Sequence, residues 1–326
     1  MSEPSISIRP SRNLGLDLVR ATEAAALTAA RWMGLGRPRQ ADQAAAKAMC
    51  DILNHIVVEG EICLPEEEGL QHHIRVRGGG SQGGVTPVDL VLDPIDGREL
   101  LAYGYPGAIS VMAGAPANTL WDPGPARYME KLVVDAQIAD ALVPECLDAP
   151  AAWTLALVAR AKGKQVGNLT VFMLDRPRHA HLIQEIRATG AHIMLRTDGD
   201  IAGAVIAAMP ENSVDLMMGI GGIIEGLIAA CAVKAIGGKM LCRLAPQGES
   251  EMIALRDQGF DLQRVMTCDD LVSSQNVFFA ATGITDGLLL EGVRYQGRYA
   301  TSNSLILRGE TGTRRIIHAQ HRLTEL

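Results

Sequence analysis

The sequence predicts an α/β protein whose second half is built around a mostly parallel sheet, and three observations carry that reading. From about residue 165 short apolar runs alternate with helical patterns, two amphipathic helix-length segments open the chain, and polar or glycine residues close nearly every apolar run. At 326 residues, with 48% apolar and 21% charged residues, 34 Gly and 15 Pro, the chain can bury a substantial core as one large domain or two joined ones.

The first helix is predicted from Ser11 to Met33, with Leu14, Leu18, Ala21, Ala25 and Trp32 near one face and a stop at Gly34-Leu35-Gly36. A second runs from about Gln40 to Leu53 and puts Asp42 on the same stripe as Ala45, Ala46 and Met49, either as a helix-dipole partner or as a ligand. HIVVEGEICL reads as a strand leading to Glu66-Glu67-Glu68, and the glycine-rich run 78–84, which lacks the Gly-Lys-Ser/Thr of a Walker loop, reads as a hairpin loop. LVLDPIDGREL (90–100) is a strand that ends in two carboxylates, Asp93 and Asp96, at a proline turn, with Arg98 beside them; a further strand spans Ala108 to Ala113. The stretch 149–163 is an alanine-rich helix. Then come three strand–helix pairs: LTVFMLD (169–175) with AHLIQEIRATG, AHIMLR (191–196) with IAGAVIAAM, and SVDLMMGI (213–220) with GLIAACAVKAI. NVFFAATGITDG (276–287) and LEGVRY (290–295) read as more strands, and RRIIHAQHRL as a basic edge strand or a disordered end. The two halves are expected to meet near residues 150 to 168, giving subdomains 1–160 and 161–326.

A formal net charge of −7 argues against nucleic acid or an anionic membrane as partner. No run of about 18 uncharged apolar residues is present and no signal-peptide pattern opens the chain, so a soluble cytoplasmic protein is expected. The six cysteines (50, 63, 146, 231, 242 and 268) form no CxxC or CxxH and read as buried free thiols. His72, His73, His179 and His181 read as surface or cap residues.

The chemistry gathers at strand ends and helix starts, where ligands of such sheets collect. Carboxylates without histidine or cysteine partners (Asp42, Glu66, Asp93, Asp96, Glu225) suit Mg²⁺ or Mn²⁺ shared with phosphate oxygens. Arg176 and Arg178 suit bidentate phosphate capture, and Gly221-Gly222 before a helix offers backbone N–H groups to an anion. Metal-assisted phosphate chemistry follows from the combination.

Over nearly its whole length the sequence resembles the class II fructose-1,6-bisphosphatases, including the dual fructose-1,6-/sedoheptulose-1,7-bisphosphatases, within the lithium-sensitive phosphatase superfamily. The resemblance runs from RNLGLDLVRATEAAALTAARWMG (12–34) through DPGPARYMEK (122–131), LDRPRH (174–179), DGD (198–200) and GIGGIIEG (219–226) to FFAATGITDG (278–287). It implies an αβαβα sandwich of two closely packed subdomains and hydrolysis of the 1-phosphate of a sugar bisphosphate by a metal-activated water. It further implies Mn²⁺ or Mg²⁺ at Asp42, Glu66, Asp93, Asp96 and Glu225, most of them in the first subdomain, and a homodimer or homotetramer. The sugar phosphate would be held by Asp96, Gly97, Tyr128, Arg176, Pro177, Arg178, Asp198, Gly199, Asp200 and Gly222, most of them in the second.

The chain departs from the family pattern at its centre. The residue after Gly97 is Arg98 where the family has Thr or Ser, whose hydroxyl helps position water and phosphate; an arginine stays charged and attracts phosphate. Pro65-Glu66-Glu67-Glu68-Gly69-Leu70 replaces a Gly-Glu-Gly-Glu loop, so an ungapped alignment puts Glu66 on the metal position and a gapped one would use Glu59 and Glu61. Ile224 replaces a proline before Glu225, and Arg37 and Pro38 replace an acid and a lysine. Three functions therefore stand open: a fructose- or sedoheptulose-bisphosphatase, a phosphatase for another sugar or cyclitol phosphate, and a sugar-phosphate-binding paralogue with impaired catalysis.

Overall fold

Alternation along the strands sorts the apolar side chains onto three separate cores, and those cores fix the order of the layers. The computed structural model describes residues 14–54, 76–77 and 88–323. In chain order its elements are α1 (Leu14–Ala30), α2 (Pro38–Leu53), β1 (Val76–Arg77), β2 (Val88–Asp96), α3 (Arg98–Tyr103), β3 (Ile109–Pro116) and β4 (Tyr128–Val134). Then follow α4 (Ala151–Lys162), β5 (Thr170–Leu174), α5 (Ala180–Ala188), β6 (His192–Arg196), α6 (Asp200–Ala208), β7 (Leu216–Gly222) and α7 (Ile223–Ile236). β8 (Lys239–Leu244), α8 (Glu249–Asp257), β9 (Met266–Thr267), α9 (Cys268–Leu271), β10 (Phe278–Gly283), β11 (Arg294–Gln296), β12 (Tyr299–Arg308) and β13 (Thr313–Arg322) complete the described chain.

Among the described residues a seven-stranded sheet has the order β1-β2-β3-β10-β12-β11, with β13 also paired to β12, and a six-stranded sheet has the order β6-β5-β7-β4-β8-β9. On one face of the first sheet Leu90, Leu92, Met112, Phe278 and Ala280 pack against Leu18 and Ala25 of α1 and Ala45 and Met49 of α2. Their neighbours Val91, Val111, Phe279 and Ala281 point the other way, into a central core with α6, α7 and the inner face of the second sheet, represented by Met129, Phe172 and Met217. The outer face of that second sheet, Leu132, Val171 and Met173, meets Leu155 and Val158 of α4 and Ile183 and Ile186 of α5. The result is the five-layer αβαβα sandwich. The middle layer explains a sequence oddity: α6 is buried along its whole length and α7 along most of it, so both are apolar all round rather than amphipathic.

Several expectations change in detail. The second sheet is mixed: β5 is parallel to β6 and β7, whereas β4, β8 and β9 join antiparallel, and the first sheet is antiparallel throughout its described pairs. The two sheets also share the chain on both sides of residue 160, since β4 belongs to the second sheet and β10 to β13 return to the first. Strands β4, β8 and β12 and helices α3 and α8 had no counterpart in the sequence reading. The basic tail is an edge strand, β13, paired with β12 along its whole length. The HIVVEGEICL strand, the glycine-rich loop, Glu59, Glu61, Glu66, Cys63, His72 and His73 lie outside the described residues.

Candidate active site

The site forms where the ends of β2 and β5 meet the N-termini of α6 and α7. In β2 the pairing register with β3 shifts between Asp93 and Asp96, around Pro94, which has no N–H to give to a ladder. The two carboxylates thus leave the strand in different directions. Asp93 accepts a hydrogen bond from the Ile95 N–H (3.1 Å) and lines a cleft of about 480 Å³. Asp96 is 3% exposed and turns instead to the first turn of α6, where it accepts from the Ala202 N–H at 3.2 Å. It therefore answers one of the orphan N–H groups of that helix, and it is not among the residues lining the cleft. Gly97 follows at φ +93°, a conformation that favours glycine, and starts α3 with Arg98 as its first residue.

The cleft wall is completed by the second sheet. Arg176 and Arg178 follow β5, and Arg178 is fixed by donating Nε–H and Nη2–H to the Ile220 carbonyl of β7 (3.1 and 2.8 Å) with its guanidinium over the Tyr128 ring. Arg176 lies 3.8 Å from Asp198 and 3.7 Å from Glu99, and all three line the cleft with Arg127 and Asp200. Asp198 also accepts from the Glu99 N–H at 3.4 Å. Asp200 opens α6 and pairs with Lys131 of β4, whose side chain is wholly buried. Gly221 and Gly222 hold the β7–α7 junction open. A Cβ on Gly221 would lie 1.9 Å from an Asp200 oxygen, and one on Gly222 2.0 Å from a Glu225 oxygen.

Of the residues the sequence singled out, Asp93, Arg98, Tyr128, Arg176, Arg178, Asp198, Asp200, Gly222 and Glu225 share this one cleft. Pro177 and Gly97 stand beside it in the chain, and Gly199 lines a neighbouring apolar cavity of about 290 Å³ with Phe172 and Leu290. Asp42 is fully buried on α2, on the stripe expected, and lies 3.7 Å from the Arg98 guanidinium. Pro38 takes the first helical position of α2, where its missing N–H costs nothing. Ile224, in place of the family proline, is a buried wall residue of the cleft. Glu99, Arg127 and Lys131 were not foreseen.

Of the two alternatives read for His179, surface or cap, the structure has the second: it is the N-cap residue of α5. His179 is 2% exposed, and its ring ties β5 to β7, for Nε2 accepts from the Ile220 N–H and Nδ1 faces the Leu174 carbonyl, both at 2.8 Å. That pair of partners fixes the neutral Nδ1–H tautomer, and burial with the nearby Arg178 and Arg176 pushes its pKa down. His181 is on the surface as expected. The five described cysteines are buried and free, with the Cys50 thiol pushed up to about 11 by burial.

The electrostatics are those of crowded acids. Burial, then Glu225, pushes the Asp93 carboxyl well above the usual range, with Arg98 opposing. Burial, then Asp200, raises Glu225 as well, against Lys131 and Arg98. Burial, then Asp200, Asp93 and Asp198, raises Asp96. Arg98 feels the converse: burial disfavours its charge, but Asp93, Asp42, Asp198 and Glu225 outweigh that and raise its pKa. Oxygen donors crowded in this way are the chemistry of a hard divalent cation, which would relieve their repulsion. Among the described residues, however, no three His, Cys, Asp or Glu side chains converge into a complete metal cage. The donor set fits a hard cation held by Asp93 and Glu225 at the cleft, with Arg98 lying against Asp42.

Acids, arginines and two glycines lining one cleft beside helix N-termini make up an enzyme site suited to a phosphate ester. Comparison with known proteins sharpens the class. Residues 12–321 match the family model described as bacterial fructose-1,6-bisphosphatase, glpX-encoded. The chain is 37% identical to the class 2 fructose-1,6-bisphosphatase of Haemophilus influenzae over 332 aligned positions, covering 97% of this chain and 98% of that one. It is 35% identical to fructose-1,6-bisphosphatase 1 class 2 of Escherichia coli K12 over 328 positions, covering 96% of each. The chain belongs to the class 2 fructose-1,6-bisphosphatase family, a family of metal-dependent phosphatases. Among the described residues no helix is long and apolar enough to cross a membrane.

Proposed function

We propose that this chain is a phosphoric monoester hydrolase that removes the 1-phosphate of fructose-1,6-bisphosphate, sedoheptulose-1,7-bisphosphate or both, using Mn²⁺ or Mg²⁺. The observation that carries the reading is the single cleft lined together by Asp93, Glu225, Arg176, Arg178, Gly221 and Gly222. The full family match supports it.

Arg176 and Arg178 bind phosphate oxygens, and the carbonyl of Ile220 holds Arg178 in one rotamer so that little ordering is needed on binding. Asp198 and Asp200 accept hydrogen bonds from sugar hydroxyls, with Asp200 positioned by Lys131 and Asp198 by Arg176 and the Glu99 N–H. Tyr128 forms a flat wall for the sugar beside Arg178. Asp93 and Glu225 would hold the cation, with Glu66 as a further donor from outside the described residues. When bound, such an ion polarises the phosphate and lowers the pKa of water for in-line attack. We assign Asp96 to the site indirectly, as the group that anchors the α6 N-terminus and so Asp200.

The protein acts as a cytoplasmic enzyme and assembles as a homodimer or homotetramer in this proposal. Phosphate release measured over a panel of sugar and cyclitol phosphates, with Mn²⁺ or Mg²⁺, tests the reading. Turnover greatest on a ketose bisphosphate supports it, and absence of turnover on every member of the panel overturns it.

A further inference from the structure

We propose that the guanidinium of Arg98 stands in the place of one divalent cation, so that this chain carries part of the positive charge of its phosphate site covalently and binds fewer metal ions than a chain with a hydroxyl residue at this position. The inference rests on the reading of the cleft as a metal-assisted phosphate site.

The argument starts from position. Gly97, in its left-handed conformation, turns the chain out of β2 and into α3, and the first side chain after that turn is Arg98. The side chain is 29% exposed, reaching to 3.7 Å from the fully buried Asp42 carboxylate of α2, and it lines the same cleft as Asp93 and Glu225. Asp42 is thus bound to a fixed cation of its own chain. Burying a carboxylate is costly unless an opposite charge accompanies it, and among the described residues Arg98 supplies such a charge to Asp42.

A guanidinium is a suitable replacement in two respects and a poor one in a third. It cannot lose its proton at neutral pH, and its planar fork of donors can face a carboxylate on one side and phosphate oxygens on the other. It cannot activate water as a metal does. Of the candidate metal-holding acids, Asp93 and Glu225 line the cleft, and they are left for an ion bound from solution. A second divalent ion against Asp42 would sit about 4 Å from a full positive charge. At an effective dielectric of about 20 that repulsion weakens its binding by at least about a hundredfold.

The test counts ions without substrate. Metal-stripped wild type, Arg98→Thr, Arg98→Gln and Arg98→Lys are titrated with Mn²⁺ alone, and bound ion is measured by equilibrium dialysis and by the paramagnetic resonance of free Mn²⁺. Arg98→Thr and Arg98→Gln are expected to take up one more Mn²⁺ per chain than wild type, or to bind the last ion at least about tenfold more tightly. Arg98→Lys keeps the charge and the wild-type count. In the wild-type background Asp42→Asn leaves the Mn²⁺ count unchanged, because its carboxylate serves the arginine; this arm stands even if a variant at residue 98 does not fold. Equal stoichiometry with affinities that differ by less than about tenfold between wild type and Arg98→Gln overturns the proposal, as does loss of an ion in Asp42→Asn. Unchanged ion uptake together with a raised KM for a sugar bisphosphate also overturns it, assigning Arg98 to phosphate binding alone. Failure of every substrate in the phosphate-release panel, with the ion counts as expected, overturns the phosphatase reading and leaves the cation replacement standing.

Discussion

Replacing Lys131 by methionine is expected to destabilise the protein through Asp200. Lys131 is wholly buried on β4 and its partner carboxylate has a side chain only 6% exposed at the head of α6. Methionine fills most of the volume, so packing changes little, and the loss is that of a counter-charge. Breaking a buried pair from one side costs about 3–5 kcal/mol, because an uncompensated carboxylate stays behind. Glu225 adds to the penalty, since Lys131 also offsets its charge. For a domain of this size the fall in Tm is on the order of 10 °C. Thermal and urea unfolding of metal-stripped protein measures it without interference from bound cations. The double variant Lys131→Met/Asp200→Asn removes both charges and is expected to recover at least about half of the loss, as paired sites couple strongly. A single variant that loses less than about 1 kcal/mol, or a double variant no more stable than the single, would refute this account of the pair.

Three further outcomes follow from the same cleft. Gly222→Ala places a Cβ 2.0 Å from the present position of a Glu225 oxygen, so that side chain must move; kcat/KM for the preferred bisphosphate is expected to fall on the order of 10²-fold with a nearly unchanged Tm. Arg178→Lys gives up the two-pronged hold on the Ile220 carbonyl, and Michaelis kinetics should show KM raised about tenfold, chiefly through lost binding. The third concerns pH. Asp93, Asp96 and Glu225 all have pKa values raised by folding, so the folded state holds these protons more tightly than the unfolded one. The stability they supply is present in acid and lost as pH rises through their folded values. The contribution of these three groups to the stability of metal-stripped protein, read as the difference from the Asp93→Asn/Asp96→Asn/Glu225→Gln variant, should therefore fall as pH rises above the ordinary carboxylate range, and saturating Mn²⁺ should shrink that fall.

Much of the fold was legible because its signals were local. The β5, β6 and β7 runs, the helices after them and the apolar stripe of α2 follow from period and punctuation alone. β12 escaped because three buried positions in its middle are polar: Ser302, Asn303 and Ser304 sit inside the protein and are satisfied by Glu23 and His321, by the Glu291 N–H, and by Thr282. Hydrogen bonds between distant segments thus erased the apolar alternation that a single strand displays. Lys131 escaped for a related reason, since a lysine in a strand reads as a solvated face until its partner, 69 residues away, is known. The candidate site was legible as a set of residue types at strand ends. What the chain could not disclose was direction: Asp93 and Asp96 look equivalent in sequence, and only the register shift around Pro94 sends one to the cleft and the other to a helix N-terminus. The five-layer order was likewise carried by the family resemblance rather than by spacing, because it depends on β4 and β10 to β13 exchanging between halves of the chain.

The buried middle layer has a consequence for how the protein fails. Asp200 and Glu225 are carried by α6 and α7, which are sealed between two sheets and can open only when a sheet is lifted away. Amide hydrogens of these helices should be among the slowest to exchange, and their exchange should follow global unfolding. The site's carboxylates are therefore tied to the last part of the molecule to come apart, so on heating, catalytic competence and the folded state should disappear together.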